Sequence, residues 1–241
     1  MKYKRIILKL SGETLAPETI PEDKSKSLTF DAARVDRAAK AIADLADLGV
    51  QVGVVMGGGN IWRGRFTAEM NPVLADQMGM LATIINALAV QDALLRLGRG
   101  ATVFTAQEMT RFAEHYRADR AVACMEQCEI VLLAGGSGNP FFTTDTAAAL
   151  RAAETHADAV FKGTTVDGVY DSDPRKNPDA KLIADITYQE AIDLGLKVMD
   201  ISAFQLCKEQ RVPVIRVFNM DDLGNILRAA RGEAIGTVVH Q

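Results

Sequence analysis

The sequence predicts a three-layer α/β sandwich, with a mainly parallel central sheet and helices on both faces. Two observations carry this. Apolar strand-like runs alternate with helical patterns from end to end, the order that builds parallel sheets through crossover helices. The strand-like runs are also continuously apolar rather than alternating, as strands buried on both faces require.

Ile6-Ile7-Leu8 opens the sheet. Residues 16–29 follow; they are polar, contain Pro17 and Pro21 and show no apolar period, so an exposed excursion is expected. Asp31 stands where an N-cap belongs, with Phe30 and Val35 spaced for a hydrophobic staple. Val35, Ala38, Ile42, Leu45 and Leu48 then recur at helical spacing until Gly49, which ends the helix. Val50 to Met56 forms the next strand. Asn71-Pro72, a cap followed by proline, opens a long helix that runs to Gly98. Ala101 to Thr105 and Ile130 to Ala134 are strands, with a helix between them carrying Cys124 and Cys128. Thr146-Ala147-Ala148-Ala149-Leu150 is helical in pattern. Ala159 to Phe161, Val214 to Phe218 and Thr237 to Val239 complete the strands. Residues 163–181, with Gly163, Gly168, Pro174 and Pro178, are too long for a simple connector, and long ordered loops in α/β folds carry function. Nothing resembles a linker or a repeat, so one domain is expected over residues 1–241, with a lobe after about residue 160.

Composition narrows the function classes. The 241 residues are 48% hydrophobic and 24% charged, ordinary for a globular chain. A formal charge of −4 gives no global basic field toward nucleic acid or membrane, so any phosphate site is built locally. No uninterrupted apolar run reaches the roughly 20 residues of a membrane span, and Met1 to Arg5 leads straight into a strand without a signal-peptide pattern. A cytoplasmic protein is expected. Cys124, Cys128 and Cys207 have no zinc-ligand partners in sequence and are expected to be reduced packing residues.

Three glycine-marked strand ends carry the chemistry. Lys9-Leu10-Ser11-Gly12 follows the first strand and puts an ammonium beside a turn. Gly57-Gly58-Gly59-Asn60 follows the second, with Arg63-Gly64 just beyond. Successive glycines let backbone N–H groups close on an anion, and arginine adds a fork of donors. Gly138-Asn139-Pro140-Phe141-Phe142-Thr143-Thr144-Asp145 lies between a strand and a helix. A helix N-terminus there has unpaired N–H groups and partial positive charge, though Thr and Asp would serve equally as plain N-caps. Ligands of open α/β sheets bind at the carboxyl ends of strands, so the three turns point to a highly anionic ligand. Neither GxxxxGK[ST] nor a helix-opening GxGxxG after the first strand is present, which excludes a P-loop enzyme and weighs against a dinucleotide-binding dehydrogenase.

Taken in order, these motifs resemble the amino acid kinase superfamily, and most closely its bacterial UMP kinases. The likeness runs through Lys9 to Glu13, Gly53 to Asn60 with Arg63-Gly64, Asp76 to Ala82, Gly138 to Asp145, Asp167 to Pro174 and Leu196 to Asp200, nearly the whole chain. It implies transfer of the γ-phosphate of MgATP to UMP, with the region before about residue 160 binding UMP and the rest binding ATP. Lys9, Leu10, Ser11, Gly12, Gly59 and Arg63 would meet the ATP phosphates, and Thr164, Tyr170 and Asp173 the adenosine. Gly58, Asp76, Ser137, Gly138, Asn139, Pro140, Phe141, Phe142, Thr143 and Thr144 would hold UMP. Lys9, Arg63, Asp145 and Asp200 would be catalytic, with Mg2+ carried by ATP rather than by protein ligands. The resemblance also implies a homo-oligomer, a hexamer; the charge balance and the lack of a spanning run lead us to expect no nucleic-acid or membrane partner.

UMP has a second phosphate pKa of about 6, so its nucleophilic oxygen needs no general base. His115, His156 and His240 are accordingly expected to be structural or superficial. Whether Lys162 or Lys197 adds a second cation stays open. Phe141-Phe142 is expected to pack in the core or at a subunit contact. Met78, Met80, Leu81, Ile84, Ile85 and Leu88 form an apolar helix surface broad enough for a helix–helix contact between subunits. Many family members carry a glycine-rich segment after the first strand, associated with GTP activation; Ala16 to Phe30 holds no glycine. The same fold also serves carboxylate, carbamate or isopentenyl phosphate acceptors and nucleotide-dependent storage assemblies. Thr143, Thr144 and Asp76 suit a nucleotide acceptor better, and Lys9, Arg63, Asp145 and Asp200 together argue against lost catalysis.

Overall fold

A computed structural model describes residues 1–18, 29–63, 69–172, 174, 176–196 and 198–241. Asp173, Lys197, Gly64 and most of the excursion expected at 16–29 lie outside the described residues.

In chain order the elements are β1 (Arg5–Leu10), a 3-10 turn (Gly12–Leu15), α1 (Ala32–Asp47), β2 (Gln51–Met56), α2 (Pro72–Arg96), β3 (Ala101–Thr105) and β4 (Glu114–His115). Then come α3 (Ala118–Glu126), β5 (Ile130–Ala134), α4 (Thr144–Glu154), β6 (Ala159–Thr164), β7 (Val169–Tyr170), β8 (Leu182–Ile183) and β9 (Asp185–Thr187). The chain closes with α5 (Tyr188–Asp193), α6 (Ile201–Glu209), β10 (Val214–Asn219), α7 (Gly224–Arg231) and β11 (Thr237–His240). Among the described residues, nine strands form one sheet in the order β4-β3-β5-β2-β1-β6-β10-β11-β9. Every pairing in it is parallel except β10 with β11. The α/β fold class read from the sequence is thus the observed one.

Strand alternation sorts the core into two layers. Ile6, Leu8 and Leu10 of β1 face α1, α2 and α7. Ile7, Val55 and Val160 face the opposite layer of α3, α4, α5 and α6. Local chemistry sets the helix ends. Asp31 caps α1 by accepting from the Arg34 N–H at 3.0 Å, and Asn71 caps α2 by accepting from the Val73 N–H at 2.9 Å with Pro72 in the first helical position.

The structure corrects one expectation and adds detail to others. α3 ends at Glu126, so Cys128 is exposed beyond it with φ 64°, while Cys124 stays buried in the helix. Residues 163–181 are not wholly irregular, because Val169–Tyr170 pairs antiparallel with Leu182–Ile183. These two-residue strands are too short to leave a period in the sequence, as are β4 and β9. The apolar surface of α2 divides: Met80 and Ile84 are buried, whereas Met78, Leu81 and Ile85 are exposed together with Leu74. By length and composition α2 alone among the described helices would suit a membrane crossing. Its Thr83 and Asn86 are buried against the glycine turns, which places it as a helix of the sandwich.

The strand order prepares one crevice. From β1 the chain proceeds to β2 on one side of the sheet, and β6 proceeds to β10 on the other. Where such progressions diverge, the carboxyl ends of two neighbouring parallel strands open onto a ligand site; here they belong to β1 and β6.

Candidate active site

Lys9 of β1 and Lys162 of β6 stand side by side in parallel register. Alternation puts both side chains on the α4 face, next to Ile7 and Val160. They are only 7% and 8% exposed, so two ammonium groups are buried together. Asp145, at the mouth of α4, answers them. Its carboxylate accepts from Lys162 Nζ at 2.6 and 2.5 Å and lies 3.3 Å from Lys9 Nζ. Burial by itself would push the Asp145 carboxyl up; the charges of Lys9 and Lys162 outweigh it and hold the group below its ordinary value. Burial, followed by the charge of Lys9, pulls Lys162 down to about 8 against the support of Asp145. With two cations and one anion, the cluster keeps a positive surplus, and the N-terminus of α4 adds to it. Such a site favours an incoming phosphoryl group.

Two turns flank the cluster. Gly12 and the Gly57 to Asn60 turn pack backbone on backbone: a Cβ at Gly57 would stand 2.9 Å from Gly12 N, and one at Gly12 would collide with Asn60 Oδ1. A Cβ at Gly58 would meet the carbonyl of Gly79 in α2 at 2.9 Å. The glycines are therefore required by the meeting of β1, β2 and α2 as well as by any ligand. Asn86, fully buried, fastens this turn by donating to Gly57 O at 2.6 Å and Asn60 Oδ1 at 2.8 Å. Sequence reasoning passed over Asn86; its signal was a lone amide in an otherwise apolar stretch of α2. Arg63 is not brought to Lys9. It donates to Gly59 O at 2.9 Å and to Glu13 at 2.7 Å, half exposed across the opening.

From Lys162 a groove of about 1740 Å³ runs outward past Ser11, Arg63, Gly163, Thr164 and Tyr170. Val166, Met220 and Leu223 give it apolar lining that motif reading did not single out. Gly163 leaves the room that Met220 takes, since a Cβ there would overlap its sulfur.

The third strand end is pinned on the other side of the cluster. The Gly135 N–H donates to Thr83 Oγ1 at 2.7 Å, and the Phe141 N–H to Asp76 Oδ2 at 2.7 Å. Asp76 of α2 and the 138–144 segment are thereby joined. Phe141 has φ 71°, an uncommon state for a bulky residue. Phe141 and Phe142 are 73% and 52% exposed, which corrects the expectation of core packing within the chain. Thr143 Oγ1 accepts from the Asp145 N–H at 3.1 Å and donates to Asp200. Asp200 precedes α6 without capping it; it is brought to Thr143, not to the lysines. His115 and His156 are exposed, and His240 pairs with Asp185 at 2.8 Å, so none enters the site.

The profile described as the amino acid kinase family matches residues 4–219. The chain belongs to the amino acid kinase family. Among members, a uridylate kinase from Bacteroides thetaiotaomicron is 49% identical over 241 residues, covering 99% of each chain. The crystal structure of UMP kinase from Bacillus anthracis superposes with a TM-score of 0.91 at 36% identity, covering 99% of this chain and 96% of that one. The UMP kinase structure from Ureaplasma parvum gives 0.89 at 36% identity, with both chains fully covered. Within the amino acid kinase family this chain stands with the uridylate kinases.

Proposed function

We propose that this protein is a UMP kinase, transferring the γ-phosphoryl group of MgATP to UMP to yield UDP and ADP. Full-length similarity to uridylate kinases supports the reaction class. The observation that carries the reading is the clasp of Asp145 by Lys9 and Lys162 beside the glycine turns at the strand ends.

The acceptor oxygen of UMP is deprotonated above about pH 6. It attacks the γ-phosphorus in line, the bond from γ-phosphorus to the bridging oxygen breaks, and ADP leaves with the electron pair. No general base is required. Catalysis then rests on alignment and on cations that meet charge as it spreads over the transferring group. Lys9 and Lys162 supply those cations, and Asp145 holds both in place. Asp200 acts through Thr143, and Arg63 serves the triphosphate from the facing wall. Lys9 to Gly12, Gly59, Thr164 and Tyr170 form the ATP side, with Asp173 assigned to it by the family likeness. Gly58, Asp76 and Ser137 to Thr144 form the UMP side. The UMP side thus lies before about residue 160 and the adenosine side after it, while the turns at Lys9 to Gly12 and Gly59 carry the triphosphate between them.

A kinase working with ATP takes the nucleotide with a divalent metal, and Mg2+ is the ion proposed. Among the described residues no three His, Cys, Asp or Glu side chains cluster, and Lys162 already occupies both oxygens of Asp145. That donor set fits a metal arriving on the triphosphate. When bound, Mg2+ neutralises β- and γ-phosphate charge. The exposed row Leu74, Met78, Leu81 and Ile85 on α2 supports assembly of copies of this chain, proposed as a hexamer in the cytoplasm.

A coupled ADP-release assay with MgATP against UMP, CMP, dUMP, glutamate, aspartate and acetylglutamate tests the proposal. Turnover with UMP is expected. Turnover confined to an amino acid, or none from folded protein that binds nucleotide, would overturn it.

A further inference from the structure

The acceptor segment begins with three glycines in left-handed conformation, Gly135, Gly136 and Gly138, at φ 77°, 61° and 89°. Glycine in such runs loses the most backbone freedom on ordering, so the segment needs external anchors to hold a fixed shape. Thr83 and Asp76 anchor its two ends from α2. A third anchor comes from α4. Arg151 is 5% exposed and donates through Nη2 to Gly136 O at 3.3 Å. A basic residue in the last turn of a helix ordinarily points to solvent and favours the helix dipole. Arg151 instead turns inward. Its guanidinium lies 3.8 Å from the centre of the Tyr116 ring and pairs with Glu154 at 2.7 Å. The Tyr116 hydroxyl closes the triangle by donating to Glu154 Oε2 at 2.8 Å.

We infer that Arg151 is a positioning residue for the acceptor: it ties the glycine run of the UMP segment to the helix whose first turn carries Asp145. The guanidinium is held on three sides before it reaches Gly136, by ring face, carboxylate and surrounding core. It therefore offers a fixed donor rather than a searching one. Because α4 also begins the lysine clasp, Arg151 sets the distance between the acceptor loop and the group that orders both lysines. This rests on the UMP kinase reading for its kinetic consequence, but not for its structural one.

The test uses Arg151→Met and Arg151→Lys in the full chain with two readouts. Amide hydrogen exchange across residues 135–142 of the unliganded protein is expected to quicken in both variants, with β10 and α6 unchanged. KM for UMP is expected to rise about tenfold in Arg151→Met, in keeping with loss of one hydrogen bond from a charged donor, while KM for ATP stays within about twofold. If Arg151→Met does not fold, Tyr116→Phe, which removes the hydroxyl bond that steadies Glu154 against the guanidinium, is expected to shift the same two readouts in the same direction by a smaller factor. Unchanged exchange at 135–142, or equal changes in both KM values, would overturn the inference. Failure of the wild-type protein to use UMP would instead strike the functional reading, and the exchange readout would still decide the role of Arg151.

Discussion

Replacing Asp145 by Asn keeps the shape of the side chain and removes the one anion between two buried ammonium groups. The Lys9 Nζ to Asp145 separation of 3.3 Å corresponds to about 5 kcal/mol of attraction at an effective dielectric of about 20, and the closer Lys162 contributes at least as much. Much of that gross figure is cancelled, because a neutral amide no longer has to be desolvated as an ion. Removing one partner of a buried pair leaves a net loss of about 3–5 kcal/mol. For a domain of this size that lowers Tm by about 6–20 °C at about pH 7. The loss also depends on pH in a definite direction. Lys162 titrates at about 8, so at about pH 9 it is largely neutral in the parent protein and less of its attraction to Asp145 remains to be lost. Thermal unfolding at both pH values should show a gap between parent and variant that narrows on raising the pH. Turnover with UMP should fall at least a hundredfold, since both lysines lose their orientation. An Asp145→Asn protein with unchanged Tm at about pH 7, or with parental kcat, would refute the clasp as the centre of the site.

Because the protonated form of Lys162 is the useful one, kcat/KM for ATP should decline as pH rises through about 8, whereas its contribution to stability should rise with pH between about 8 and the unfolded value of 10.5, where only the unfolded chain holds the proton. Lys162→Arg should move that kinetic limb upward, because arginine does not titrate there; a limb that stays in place would assign it elsewhere. Gly135→Ala forces a side chain into φ 77° and against Gln107 and the Ala106 N–H at 3.1 Å, a conformation costing about 1–2 kcal/mol. It should raise KM for UMP about tenfold and leave KM for ATP near parental, and a selective change in ATP would contradict the division of the site.

The fold was legible because its decisive strands are apolar on both faces and leave runs that no loop would carry. Capping residues marked the helix starts: Asp31 and Asn71 sit where the hydrogen bonds form. Strands of two or three residues left no period, so β4, β7, β8 and β9 escaped notice. In the site, motifs that are continuous in sequence were legible and pairings across the sheet were not. Lys9 stood beside a recognisable turn, but Lys162 lies in the strand Ala159–Thr164 with nothing local to mark it. Only the register of β1 against β6 makes the second lysine a neighbour of the first. Arg63 and Asp200 were found as residues and missed as contacts, because Glu13 and Thr143 are their partners in space.

That register also explains why the cluster has the form it does. Two lysines on adjacent central strands are a poor choice for stability, since each is desolvated and each repels the other. One carboxylate compensates one of them, and burial, followed by the charge of Lys9, still leaves Lys162 depressed. A second carboxylate at hydrogen-bond distance would relieve it, but among the described residues only Asp145 pairs with either lysine, and the Asp200 carboxylate accepts from Thr143. The positive surplus is left uncancelled at the inner end of the groove. The protein thus retains an electrostatic deficit that a phosphoryl group is suited to fill, which is the condition for binding charge more tightly as it develops than before it does. The same deficit explains the anchors around it. On the proposed reading, the bonds that join Thr83, Asp76 and Arg151 to the 135–141 segment would hold the acceptor wall in one shape beside that surplus.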